Sequence, residues 1–193
     1  MKIRILKERE QADAMLFVRT VQKQQEYLEE EQRLQANEEF LAYTEGTNIQ
    51  EMCKRGDLIL WGAFMQGQLV GVSGMQKEGH ITLLYVHPQM QHQKVGAQLL
   101  QKMMNYATGV CGLSTVTVNV MPSIQANFFE KQGFQRLFVP EEVSLAYVPM
   151  FAPVPEILEY SFRPMPVRIG VGMSVLCMFL ILLSSILYIV FEG

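Results

Sequence analysis

The sequence predicts an α/β domain, of the α+β kind with a mixed sheet, followed by one apolar helix toward its C-terminal end. Two patterns predict the domain. Three strand-like runs stand in series, 57–65, 68–76 and 79–87, and from Val95 onward helical and strand patterns alternate. A third pattern predicts the tail. Residues 169–190, IGVGMSVLCMFLILLSSILYIV, contain no Asp, Glu, Lys, Arg, Asn, Gln or His.

In chain order, residues 2–6 (KIRIL) read as a short first strand. Residues 8–43 are rich in Gln, Glu, Leu and Ala and lack Gly and Pro, so they read as one or two helices. The polar run EYLEEEQRLQANEEFL within them reads as a solvated helical face. Strands 57–65 (DLILWGAFM) and 68–76 (QLVGVSGMQ) are joined by Gln66-Gly67, a good hairpin turn. Strand 79–87 (GHITLLYVH) extends them into an antiparallel meander. Val95, Leu99, Leu100, Met103 and Met104 recur at helical spacing and predict an amphipathic helix over 95–106. Residues 114–120 (STVTVNV) are β-branched and read as a strand. Residues 123–131 read as a short helix stopped by Gln132-Gly133. Residues 134–139 and 143–148 supply the last strand or strands.

These elements place the compact domain at residues 1–148. Residues 149–168 carry Pro149, Pro153, Pro155, Pro164 and Pro166 and read as a semi-stiff spacer. Residues 169–190 would span about 33 Å as a helix, against a hydrocarbon core of about 30 Å. A buried soluble helix would carry a polar stripe, and this run carries none. The run is therefore expected to be a single-pass transmembrane helix in contact with the lipid bilayer. Arg163 and Arg168 precede it, which sets the domain on the cytoplasmic side by the positive-inside rule.

Composition narrows the function. With 16 basic and 19 acidic residues the formal net charge is -3, and no basic face for nucleic acid is expected. Cys53, Cys111 and Cys177 are far apart and form no C-x-x-C pair, so neither a disulfide framework nor a metal site is expected. The opening MKIRILKERE has no apolar stretch of the kind a secretory signal needs.

The informative stretch is LLYVHPQMQHQKVGAQLL, residues 83–100. A strand ends at His87-Pro88, a polar loop follows, and a helix starts near Val95. A helix start presents free backbone N–H groups and the positive end of the helix dipole, a ready site for a pyrophosphate. The segment resembles motif A of the GNAT acetyltransferase superfamily, Q/R-x-x-G-x-G/A. Gln91 matches its first position and Gly96 its last. Lys94 stands at the middle Gly position, where its side chain either crowds the pyrophosphate or pairs with a phosphate of coenzyme A. A second run, SIQANFFEKQGF at 123–134, resembles the superfamily's C-terminal motif in its Phe-Phe-Glu-Lys-x-Gly-Phe core.

The resemblance implies a GNAT acyl-CoA N-acyltransferase fold and transfer of an acetyl group from acetyl-CoA to an amine acceptor, with no metal. By that resemblance, acetyl-CoA would lie along Leu84, Tyr85 and Val86, on the loop Gln91, His92, Gln93 and Lys94, on Val95, Gly96 and Ala97, and beside Phe129. The oxyanion donor would be a backbone N–H near Tyr85 or Val86. The strands before and after the 123–131 helix would splay to admit the pantetheine arm. Phe129 fills the position of the family's usual acidic Tyr. Tyr85, Ser123 and Tyr147 are the substitutes, with Ser123 also readable as a helix N-cap. Two further readings stay open: a non-catalytic acyl-CoA-binding module, and a protein-interaction module on the same scaffold. A homodimer is left open as well.

Overall fold

A computed structural model describes residues 1–24, 38–121, 125–140, 145 and 147–154. The expected transmembrane helix, most of the expected spacer, Ser123 and most of the polar 26–41 run lie outside these residues. Among the described residues no helix is long and apolar enough to cross a membrane.

Seven strands form one mixed sheet in the order β1-β2-β3-β4-β5-β7-β6. They are β1 (Lys2–Ile5), β2 (Leu58–Met65), β3 (Gln68–Gln76), β4 (His80–Val86), β5 (Thr115–Val120), β6 (Gln135–Arg136) and β7 (Val148–Pro153). The meander β2-β3-β4 is antiparallel, as the Gln66-Gly67 turn predicts. Among the described residues the one parallel pair is β4 with β5.

Helices cover both faces. On one side lie α1 (Glu8–Lys23) and α3 (Gly46–Arg55), with α2, residues 38–43, between them in sequence. Ala14, Met15, Val18 and Ile49 pack there against Leu58, Leu60, Val72 and Leu83. On the other side lies α4 (Val95–Gly109), whose Val95, Leu99, Leu100, Met103 and Ala107 are all buried. They meet Trp61, Ala63, Met75 and Ile81. Alternate residues of β2 thus serve opposite cores, the period of two that a strand imposes. Each large apolar side chain so buried contributes roughly 1.5–3 kcal/mol. Close seating of α4 requires Gly71, where an added Cβ would come within 2.9 Å of Leu99 Cδ1. Short α5 (Ala126–Lys131) follows β5.

Three boundaries differ from the sequence expectation. Helix α3 falls where no helix was predicted. Its first turn is Gly46-Thr47-Asn48, all weak helix formers, and only Ile49 is buried. Its end does carry a signal: Lys54-Arg55 before Gly56, which takes the left-handed conformation at φ 77°. The last strands are Gln135–Arg136 and Val148–Pro153 rather than 134–139 and 143–148. Strand β7 therefore carries the sheet into the segment expected to be spacer from residue 149. Its prolines fit because the Val154 N–H bonds the Ser114 carbonyl at 2.8 Å, so by antiparallel alternation the missing N–H groups of Pro149 and Pro153 fall on the side away from β5.

Candidate active site

β4 and β5 pair only at His80↔Thr117 and Ile81↔Val118. Beyond those partners the strands separate and leave a cleft lined by Leu84, Tyr85, Asn119, Met121, Gln125 and Phe129, among others. The splay was expected between the strands flanking α5. It lies instead between β4 and β5, because β5 is fully paired to β7 from Thr115↔Pro153 to Val120↔Val148.

A bulge places the separation. Gly74 pairs with Leu83 but Met75 with Ile81, which leaves Thr82 as an extra residue on β4. Bulges bend a strand and increase its twist. Here the bend begins one residue after the last β4–β5 partners.

The hydrogen-bond phase of β4 then decides which backbone groups face the cleft. The His87 N–H donates to the Val70 carbonyl at 3.0 Å. Antiparallel pairs alternate between bonded and non-bonded, so Tyr85 also spends its N–H on β3, opposite Val72. Leu84 and Val86 present their N–H and C=O groups the other way, toward the cleft. The Gln91 side chain confirms this for Val86, donating from Nε2 to the Val86 carbonyl at 3.3 Å. Of the two expected oxyanion positions, Tyr85 is thereby corrected: its amide belongs to the sheet. Leu84 keeps a free edge, and Val86 keeps its N–H, its carbonyl being taken by Gln91.

The loop beyond β4 is built by its own residues. Pro88–Met90 form one 3-10 turn, in which the Gln89 N–H donates to His87 Nδ1 at 3.3 Å. Gln93 Nε2 donates to the Gln89 carbonyl at 3.0 Å. His92 and Lys94 hold φ of 60° and 62°, a left-handed conformation that L-residues adopt at a cost of about 1–2 kcal/mol. Left-handed residues interleaved with others turn successive N–H groups into an anion-binding concavity. Lys94 is also the N-cap of α4, and its carbonyl accepts the Gln98 N–H at 3.0 Å. Among the described residues, no backbone acceptor takes the N–H groups of His92, Gln93 and Lys94. Those of Val95, Gly96 and Ala97 belong to the first helical turn, which has no intrahelical partner. An added Cβ at Gly96 would make ordinary contacts with Phe128 at 3.5 Å and Val86 at 3.7 Å.

The remaining side chains sort by position. Phe129 is buried at 6 % exposure and packs edge-to-face on Phe128 and Phe134. Tyr85 packs on Phe40 with ring centroids 6.0 Å apart, and burial pushes its hydroxyl up to about 12. It stays a neutral donor across the physiological range. His80 sits at the closed end of the cleft, its Nδ1 2.9 Å from Thr117 Oγ1, and burial lowers its pKa. Tyr147 is exposed at 37 % on the approach to β7.

Sequence reasoning missed the layer behind Tyr85. Tyr43 donates from its hydroxyl to Thr82 Oγ1 at 2.9 Å, and Phe17 lies 6.5 Å from His87. These residues come from helices with no motif, and Thr82 stands out only once the register is known. No group of three or more His, Cys, Asp or Glu side chains is placed to hold a metal ion among the described residues.

The same architecture recurs in solved structures. PaiA N-acetyltransferase from Thermoplasma acidophilum, in complex with coenzyme A, has a TM-score of 0.63 and 19 % identity, covering 79 % of this chain and 99 % of that one. A GCN5-related N-acetyltransferase from Rhodopseudomonas palustris has 0.59 and 24 %, covering 79 % and 94 %. An aminoglycoside 6'-N-acetyltransferase complexed with coenzyme A has 0.56 and 14 %, covering 80 % and 97 %. At these identities the likeness establishes the fold. No curated protein matches the sequence. The model of the acetyltransferase (GNAT) domain matches residues 17–151, and the chain therefore belongs to the GNAT acetyltransferase family.

Proposed function

We propose that the chain transfers an acetyl group from acetyl-CoA to an amine acceptor, and that residues 169–190 tether it to a membrane with the domain on the cytoplasmic side. One observation carries the catalytic part: the free edge of β4 at Leu84 and Val86 leads directly into the 91–97 loop. A pantetheine arm would pair with that edge while the pyrophosphate takes the loop's N–H groups. Two solved proteins of this fold were captured with coenzyme A, which supports a coenzyme A thioester as the donor here.

The chemistry follows from the donors. The amine nitrogen attacks the thioester carbonyl carbon, a C–N bond forms, and negative charge gathers on the carbonyl oxygen. The Leu84 N–H faces the cleft at the level of Tyr85 and is the donor for that charge. Such a fixed donor is worth about 3–4 kcal/mol of barrier. The C–S bond then breaks and coenzyme A leaves as its thiolate, while the proton shed by the nitrogen passes through solvent and ends on that sulfur, giving the free thiol. Tyr85, held neutral by burial, serves as a hydrogen-bond donor to the sulfur better than as a proton source.

The tether rests on the uncharged 22-residue run and the Arg163/Arg168 bias. Thiol release from acetyl-CoA, followed against a panel of primary amines, tests the transfer. Membrane fractionation with protease protection tests the tether and its orientation. A second reading, an acyl-CoA-binding module without turnover, is favoured by Lys94 at the Gly position and Phe129 at the Tyr position. Tight acetyl-CoA binding with no thiol release from any amine would select it.

A further inference from the structure

We propose that Tyr43 and Thr82 form a latch that holds the cleft-facing N–H of Leu84 in register, so that helix α2 positions the oxyanion donor; this rests on the acyltransferase reading above. Thr82 is the bulged residue of β4, adjacent to the Ile81↔Val118 pair where β4 leaves β5. The extra residue of a bulge is left unpaired and the ladder is locally disrupted, so side-chain hydrogen bonds at Thr82 bear on its position. Its hydroxyl is gripped from two sides. Tyr43 donates to Thr82 Oγ1 at 2.9 Å, and that oxygen lies 3.5 Å from the Gly74 carbonyl. The second distance is at the limit of a hydrogen bond, so the Tyr43 contact is the main hold.

Tyr43 suits the part. It is partly buried against the α1/α3 core. Burial, opposed by the Thr82 bond, raises its pKa, so it remains a donor throughout the physiological range. Leu84 lies two residues beyond Thr82 on the same strand. A tilt at the bulge is therefore passed to the Leu84 amide with little backbone between to absorb it. Misplacing a reacting group by about 1 Å can cost on the order of 100-fold in rate. Tyr43 and Thr82 are positioning residues, because they act through the Leu84 backbone.

The test needs no acceptor. CoA lacks the acetyl carbonyl, so the ratio of CoA to acetyl-CoA affinity isolates the contact to the β4 amide. The carbonyl carbon of acetyl-CoA, labelled with carbon-13, reports the same hydrogen bond spectroscopically. Full-length protein in mild detergent is used. In the wild type, acetyl-CoA should bind about fivefold tighter than CoA, with the carbonyl resonance shifted from its free position. Tyr43→Phe and Thr82→Val should each abolish the preference and return the resonance toward the free value, with CoA affinity unchanged. Thr82→Ser should retain both signals. The double variant Tyr43→Phe/Thr82→Val should lose no more than either single one.

The latch is overturned if the single variants keep the preference and the shift, if they weaken CoA and acetyl-CoA equally, or if their effects add. A wild type that binds both nucleotides alike with an unshifted carbonyl also overturns it. A wild type that binds neither nucleotide overturns the acyltransferase reading itself, and the latch with it.

Discussion

Ile81 and Val118 are the last partners of the parallel β4–β5 pair, and the bulged Thr82 comes next on β4. The whole candidate site follows from that juxtaposition. The strands part, the Leu84 and Val86 edge opens, and the strand runs on into the loop that caps α4.

Lys94 holds a left-handed backbone at φ 62° where the family motif carries glycine. Replacing it with glycine removes that strain without changing the loop's path. Lys94→Gly should raise the stability of the folded protein by about 1 kcal/mol, read as a shift of the denaturation midpoint. Acetyl-CoA affinity should be unchanged or tighter. A loss of tenfold or more would mean that the ammonium itself contacts a phosphate.

A methyl group at Gly96 would make only ordinary contacts with Phe128 and Val86. Gly96→Ala should fold normally. Gly96→Trp should abolish acetyl-CoA binding by blocking approach of the pyrophosphate to the N–H groups of the 91–97 loop. Unchanged affinity in the Trp variant would show that the nucleotide lies elsewhere.

Phe129 joins the cleft wall to the core through Phe128 and Phe134. Phe129→Ala should destabilise the domain by about 3–5 kcal/mol, measured by chemical denaturation. A loss under 1 kcal/mol would mean that the aromatic cluster is not part of the cooperative core.

His80 ties β4 to β5 through Thr117, and burial lowers its pKa below 6.5. A lowered histidine pKa means that the unfolded chain binds the proton more readily than the folded one. His80's contribution is therefore complete above the ordinary value and is lost as pH falls through the folded one. Stability should decline on acidification below about pH 6.5, and His80→Gln should flatten that decline. An identical pH profile in the variant would assign the acid sensitivity to other groups.

The apolar run at 169–190 is predicted to be dispensable for folding. A fragment of residues 1–162 should be soluble without detergent, and the full-length protein should partition into membranes. Aggregation of the fragment in mild buffer would mean that residues beyond 162 belong to the core.

The sequence was most legible where a periodic pattern and a turn agree. The meander over residues 57–87 and the α4 face of Val95, Leu99, Leu100 and Met103 follow from spacing alone. The 91–97 loop was legible through its motif and its place between a strand and a helix. Three features were not. α3 starts in Gly46-Thr47-Asn48, where intrinsic propensity opposes the helix and tertiary packing of Ile49 overrides it. The choice of Leu84 and Val86 over Tyr85 depends on hydrogen-bond phase, which a single strand sequence does not encode. The Tyr43–Thr82 contact joins positions 39 residues apart in sequence through a bulge that only the register reveals.

The most direct test of the account is a calorimetric titration of acetyl-CoA into the full-length protein in mild detergent. The account predicts saturable one-to-one binding with a Kd on the order of 10–100 µM, lost in Gly96→Trp. Absence of binding at millimolar acetyl-CoA would contradict it and would favour an interaction module on the same scaffold.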